Sequence, residues 1–250
     1  MFTWLSGGAL AMCVLLVILL MAILAWNGLG YFWQKPVQRI VLDDGTVFLG
    51  EIHDRDEIDE GKGPTGRFQI RMKLGNRDLT GSDFRWFDEE RIVQRGFPAE
   101  AVLLERTEWG NFYGFPVELR RDGELLVQGA DQVRSTLPSL HGKKMELLED
   151  IHDLETGAIG DVNHEIEERT RELKRIELEG GDPVRSKRIQ DEIDARNRAY
   201  RQLAEQLSVF REELLRETLV MEAADGTRQE VPVGSIVRTI RPNDMGAGEA

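Results

Sequence analysis

The first 34 residues of this 250-residue chain carry no Asp, Glu, Lys or Arg, so all its charged side chains fall in the remaining 216. A chain divided this way is not a single soluble globule. It is not a polytopic membrane protein either, because no second long apolar run follows. Residues 5–25 read LSGGALAMCVLLVILLMAILA. As a helix this run would span roughly 31 Å, close to the hydrocarbon thickness of a bilayer. Trp4 stands at one end and Trp26, Tyr31, Phe32 and Trp33 at the other, where amphipathic rings settle at a membrane–water interface. A cleaved signal peptide would need a basic leader, a shorter apolar stretch and a small-x-small cleavage site. No Lys or Arg precedes the run, and Trp26-Asn27-Gly28-Leu29-Gly30 offers no such site. The expectation is a retained transmembrane helix with its interfacial flank, residues 1–34.

The remainder is acidic: 32 Lys+Arg against 45 Asp+Glu give a net charge of −13. That balance argues against nucleic acid as a partner, since phosphate backbones attract a surplus of Lys and Arg. The one cysteine, Cys13, lies inside the apolar run, which excludes an intramolecular disulfide framework and a Cys-based zinc cluster. Lys35 and Arg39 follow the helix and by themselves point to a cytoplasmic C-terminal side, although a long acidic domain can still be translocated.

Residues 35–141 read as a β-rich domain. VQRIVL and TVFLGEIH flank an Asp44-Gly45 turn, a hairpin signal. Residues 54–66, DRDEIDEGKGPTG, have loop composition. Asp54, Asp56, Glu57 and Asp59 invite a calcium reading, but a calcium loop requires an oxygen ligand at its fifth position and Gly at its sixth, where Ile58 and Asp59 stand. Residues 67–74 alternate apolar and polar like a half-buried strand, and Gly75-Asn76-Arg77-Asp78 turns the chain. Further strands are expected at 101–107 and at 116–121, the latter paired with 124–128 through Asp122-Gly123. Trp86, Phe87, Trp109, Phe112, Tyr113 and Phe115 read as aromatic filling for the core of this domain.

From residue 142 to 217 the period becomes helical: Leu148, Ile151, Leu154, Ala158, Val162, Ile166, Leu173 and Ile176 share one face. Gly180-Gly181-Asp182-Pro183 breaks the pattern. Ile189, Ile193, Arg196, Tyr200, Leu203, Leu207, Phe210 and Leu214 then step by 4, 3, 4, 3, 4, 3, 4, a heptad seam with one polar interruption. Two such helices joined by a tight turn fold back on one another. Residues 218–242 return to β-pattern as a three-stranded meander, expected to pack against the strands of 37–128, and 243–250 form a Gly/Ala tail. The fold class is therefore α+β: one N-terminal transmembrane helix, a small antiparallel β-domain, and a long antiparallel coiled-coil hairpin inserted before the last β-strands.

No catalytic motif stands out. GxSxG, the P-loop and GxGxxG are absent, and His164-Glu165-Ile166-Glu167-Glu168 lacks the second His of HExxH. His152 and His164 would sit about 18 Å apart along one helix, too far to share a metal. Neither an autonomous enzyme activity, nor a metal, nor a cofactor is expected.

Certain segments nevertheless have a familiar look: Gly75-Asn76-Arg77-Asp78-Leu79, then Gly81-Ser82-Asp83-Phe84-Arg85-Trp86, then Glu105-Arg106-Thr107-Glu108-Trp109-Gly110-Asn111-Phe112-Tyr113-Gly114, followed by a charged helical hairpin and Val231-Pro232-Val233-Gly234-Ser235-Ile236-Val237-Arg238 before Arg241-Pro242-Asn243. With the apolar helix before them, they resemble the N-terminal portion of bacterial phosphate ABC transporter permeases of the PstA type. Some members of that family place a large extramembrane insertion after the first transmembrane helix. The resemblance implies a single-pass inner-membrane segment with residues 35–250 in the periplasm. It also implies inorganic phosphate as cargo, and as partners a second permease subunit, a cytoplasmic ATPase and a periplasmic phosphate-binding protein. The permease core is not in this sequence, so the expectation is an N-terminal portion or a split subunit acting as a docking or regulatory domain. The competing expectation is a stand-alone bitopic scaffold that oligomerises through residues 189–214. Arg77 and Arg85 flank a Gly-rich turn and suggest a phosphate contact, against pairing with Asp78, Asp83 or Asp88.

Overall fold

The computed structural model describes residues 3–32, 35–59 and 65–244. Helix α1 (Thr3–Phe32) contains a 20-residue stretch, Gly7–Trp26, long and apolar enough to cross a bilayer, and none of that stretch is buried against the rest of the chain. The helix runs on to Phe32, so positions 26, 31 and 32 lie on its last turns, while Trp33 falls outside the described residues.

The body that follows is mixed α and β with antiparallel sheets. β1 (Val37–Leu42) and β2 (Val47–Glu57) form the first hairpin, its turn fastened by the Thr46 N–H donating to Asp44 Oδ1 at 2.9 Å. β2 runs through residues 54–57, where composition predicted a loop. Pairing with β3 (Phe68–Lys73) accounts for it: Asp54 to Glu57 register with Arg71 to Phe68, and Asp54 meets Arg71 at 2.6 Å. Residues 60–64 of the expected loop lie outside the described residues. After the single turn α2 (Arg77–Thr80) come β4 (Phe84–Asp88) and β5 (Ile92–Gly96), which pattern reading did not resolve. They are the two edges of a five-stranded sheet ordered β4-β3-β2-β1-β5, and edge strands carry charge without a clean alternation.

The second sheet combines β6 (Val102–Arg106), β7 (Phe112–Arg121), β8 (Glu124–Gln128), β9 (Glu217–Glu222), β10 (Arg228–Pro232) and β11 (Ile236–Ile240), in the order β10-β9-β7-β6-β11 with β8 paired to the far half of β7. The closing strands thus join those from the first half of the chain, as expected. The meander is not formed: β11 leaves β10 and pairs with β6. Asn243, expected in a free tail, bonds instead to the start of β1. Its Oδ1 accepts from the Val37 N–H at 2.9 Å, and its Nδ2 donates to Val37 O at 2.7 Å and Pro98 O at 2.8 Å.

Helix α3 (Ala130–Asp153) begins twelve residues before the expected boundary at 142, despite Pro138. Val133 and Leu137 are buried in a cluster with Leu119, Leu219 and Val231 of the second sheet, and this packing outweighs the backbone bond lost at proline. A π-helical segment, Leu154–Ile159, leads into α4 (Gly160–Leu178). α5 (Pro183–Leu215) starts at Asp182, whose carboxylate caps the N–H groups of Val184 and Arg185 at 3.0 and 3.2 Å. Ion pairs run in opposite order along the two arms: Glu172–Arg185 at 3.0 Å, Arg169–Glu192 at 3.2 Å, Glu165–Arg196 at 2.6 Å and Glu155–Arg211 at 2.5 Å. Leu173 packs with buried Ile176, Ile189 and Ile193 near the turn, whereas Tyr200 is exposed and Leu203, Leu207 and Phe210 are half-buried.

Where the helices meet the sheet, Lys144 is buried, with Nζ 2.5 Å from Glu217 Oε2 and donating to the Glu213 carbonyl; Arg121 approaches Glu217 at 3.4 Å. Lys144→Met leaves the buried Glu217 carboxylate short of its main partner and is expected to cost about 3–5 kcal/mol. In the Lys144→Met/Glu217→Leu double variant much of that loss should return. Urea unfolding of the detergent-solubilised chain, followed by circular dichroism, measures both.

Candidate functional site

The segments that carry the family resemblance converge at the seam between the two sheets. Gly75, two residues beyond β3, has φ +54°, and a Cβ there would lie 2.4 Å from Asn111 O and 2.8 Å from the Tyr113 ring, so only glycine fits. Asn76, at φ 50°, then presents its side chain to β7 as though it were a neighbouring strand. Its Oδ1 accepts from the Tyr113 N–H at 2.7 Å and its Nδ2 donates to Tyr113 O at 3.0 Å, while its own N–H donates to Asn111 O at 2.9 Å. Asparagine suits the place because it tolerates the left-handed region and has a donor and an acceptor spaced like a peptide.

Tyr113 is fully buried with Val37, Leu49, Ala101 and Leu103, residues drawn from both sheets, and its hydroxyl donates to Glu51 Oε1 on β2 at 2.9 Å. Burial and the neighbouring Glu51 charge push its phenol far above the ordinary range. One turn along, Asp78 on α2 receives both arms of Arg106 from β6, at 2.8 and 3.0 Å. Arg106 also donates to Gly110 O at 3.0 Å and Trp109 O at 3.4 Å, holding a turn in which Trp109 (φ 66°) and Gly110 (φ 69°) are both left-handed. Burial alone would raise the Asp78 carboxyl, but the Arg106 hydrogen bonds and charge outweigh it and hold it below the usual carboxylate value.

Of the motif residues, Gly75, Asn76, Asp78, Trp109, Gly110, Asn111 and Tyr113 belong to this clasp. Arg77 and Trp86 do not. Arg77 is exposed and, among the described residues, makes no ion pair or side-chain hydrogen bond. Arg85 does not pair with the acidic residues near it; its guanidinium lies over the Phe48 and Phe87 rings, 5.2 and 5.5 Å from their centroids. Asp78 is taken by Arg106, and Asp88 lies 4.0 Å from Arg67. The aromatic set divides likewise: Phe87, Phe112 and Tyr113 are buried, whereas Trp86 and Trp109 are 40% and 61% exposed and fill no core. Arg106 stands in the stretch that carries the resemblance, but its role was not legible there, because its partner Asp78 lies 28 residues away in the chain.

A cavity of about 490 Å³ lies between α3 and β11, with Val102, Leu137, Pro138, Leu219 and Val237 among its lining residues. The arginines at its rim are engaged by acidic partners: Arg134 by Asp131, Arg241 by Asp244, and Arg238 by Glu105. Among the described residues, no three His, Cys, Asp or Glu side chains gather as metal ligands. Compared with known family models, characterised proteins and solved structures, the chain matches none.

The clasp is thus a joint, chemically saturated and inward-facing. Asn76→Ala leaves both Tyr113 backbone groups without partners and is expected to cost about 2–4 kcal/mol, against less than about 0.5 for Arg77→Ala next to it. Urea midpoints compare the two. Because the native Asp78 carboxyl sits below its unfolded value, its contribution is complete above about pH 4 and fades as acid protonates it. The stability deficit of Asp78→Asn should therefore be greatest near neutrality and shrink below about pH 4 in unfolding curves taken across that range.

Proposed function

We propose that this chain is the membrane-anchored extramembrane part of a phosphate ABC transporter permease, contributing to phosphate uptake as a docking or regulatory domain in the bacterial inner membrane. The observation that carries the reading is that most of the residues responsible for the resemblance, Gly75, Asn76, Asp78, Gly110, Asn111 and Tyr113, are those that make the clasp. The likeness therefore rests on residues that decide a fold rather than on shared composition.

In this reading α1 spans the membrane and residues 35–250 stand in the periplasm. The sheets sit at the membrane mouth, while α4 and α5 project as a coiled-coil hairpin toward the second permease subunit or the phosphate-binding protein. Their outward faces are dense in charge, as suits a reversible protein contact. The pore and ATP hydrolysis belong to other parts of the assembly, and phosphate is its cargo. A phosphate contact at Arg77 and Arg85 gains no support from the Arg85 stacking. The second reading, a bitopic scaffold that oligomerises through its hairpin, is favoured by the half-buried seam at Leu203, Leu207 and Phe210.

Affinity isolation of a chromosomally tagged copy from mildly solubilised membranes separates the two readings. The transporter reading expects a transport ATPase and a second permease subunit in the eluate. Recovery of self-assemblies without those subunits would favour the scaffold.

A further inference from the structure

The cavity of about 490 Å³ between α3 and β11 is walled on one side by a single helix face, on which Ala130, Arg134, Pro138 and His141 recur at helical spacing. Its floor is Val102, Val133, Leu137 and Leu219, all members of the main core cluster. Val237 of the edge strand β11 lines it as well, 52% exposed. His141 pins the helix to that strand, its Nε2–H donating to Ile236 O at 2.7 Å, so the fold itself sets the gap between them. An enclosed volume of this size, with an apolar floor and a few polar groups around it, has the make-up of a small-molecule site.

Pro138 supplies one of those polar groups. It has no N–H and cannot donate to the carbonyl of Arg134 one turn earlier. Both residues line the cavity, so an acceptor that lacks its helical donor opens on this side. Thr239 of β11 adds a hydroxyl that makes no hydrogen bond among the described residues. Charge at the rim is balanced within the chain: Arg134 pairs with Asp131, Arg241 with Asp244, and Arg238 with Glu105 at 2.8 Å. An anion would meet no free cation there. A cation would lose hydration over the apolar floor with only the exposed Glu100 to face.

We infer that this cavity binds an uncharged small molecule with an apolar body and a hydroxyl group. The body extends the core over Val102, Val133, Leu137 and Leu219. The hydroxyl donates to the Arg134 carbonyl that Pro138 leaves open, which gives the proline a use beyond interrupting α3. Neither phosphate nor the membrane helix takes part in this site.

The probe is the benzyl alcohol of trifluoromethyl phenyldiazirine, a photoreactive apolar alcohol, applied to the detergent-solubilised full chain. Mass spectrometry locates the labelled peptides, and labelling of α1 by probe dissolved in the micelle is the internal control. Saturable labelling of α3 and β11 peptides is expected, at least about ten-fold stronger than with the benzoate and benzylammonium analogues. Ala99→Trp/Val237→Trp fills the cavity from exposed wall positions and should remove that labelling while α1 remains labelled. Pro138→Ala returns a helical donor to Arg134 O. It should weaken labelling by the alcohol about three-fold and leave labelling by the parent diazirine, which has no hydroxyl, unchanged. Unlabelled cavity peptides, or equal labelling in the double tryptophan variant, would overturn the site. Charged analogues that label as well as the alcohol would overturn the uncharged class, and an indifferent Pro138→Ala would overturn the hydroxyl contact.

Discussion

The two sheets are tied by a side chain posing as backbone. Asn76 gives Tyr113 the acceptor and donor that a neighbouring strand would supply, and it does so at a left-handed turn made possible by Gly75 pressed against Asn111 and the Tyr113 ring. Once Tyr113 is fixed, its hydroxyl fixes Glu51 on β2, and its ring closes the cluster that holds Val37 of the first sheet against Leu103 of the second. Arg106 and Asp78 seal the same junction electrostatically. Without this joint the five-stranded sheet would share little with the rest of the body, because its own apolar cluster, around Ile40, Ile70, Met72 and Phe87, is separate.

Charge is placed throughout by burial. Exposed pairs such as Arg91–Asp43 and Arg228–Glu222 decorate turns and edges, where their net contribution is small. The pairs at Arg106–Asp78 and Lys144–Glu217 are nearly sealed from solvent and stand at joints, one between the sheets and one between the helices and the second sheet. A buried pair tolerates few alternative geometries, since loss of either partner strands a charge in a low-dielectric interior. In an acidic chain rich in arginine, these two positions specify which elements meet.

The fold ties the start of β1 and the helical arms to the same second sheet. The start of β1, the first ordered strand after α1, is bonded to Asn243, and the helices return through α5 into β9, the strand beside β7. A force on the arms therefore enters the sheet that carries Tyr113.

Local chemistry was enough to read much of the protein from its sequence. The charge-free apolar run, the Asp44-Gly45 and Asp122-Gly123 hairpins, the helical period on either side of Gly180-Gly181 and the Asp182-Pro183 helix start are all short-range signals, so neighbouring residues fix them. The Gly75-Asn76 and Trp109-Gly110-Asn111 segments were also visible as motifs, but their meaning was not, because each acts only on the other from more than thirty residues away. Tertiary structure decided the rest. Edge strands β4 and β5 exist because a partner strand supplies their hydrogen bonds, helix α3 passes through Pro138 because Val133 and Leu137 are buried, and β11 leaves its hairpin to pair with β6. It also decided which two of many arginines and lysines are buried at joints. Nothing in a residue's own neighbourhood distinguishes Arg106 or Lys144; only the elements that close over them do.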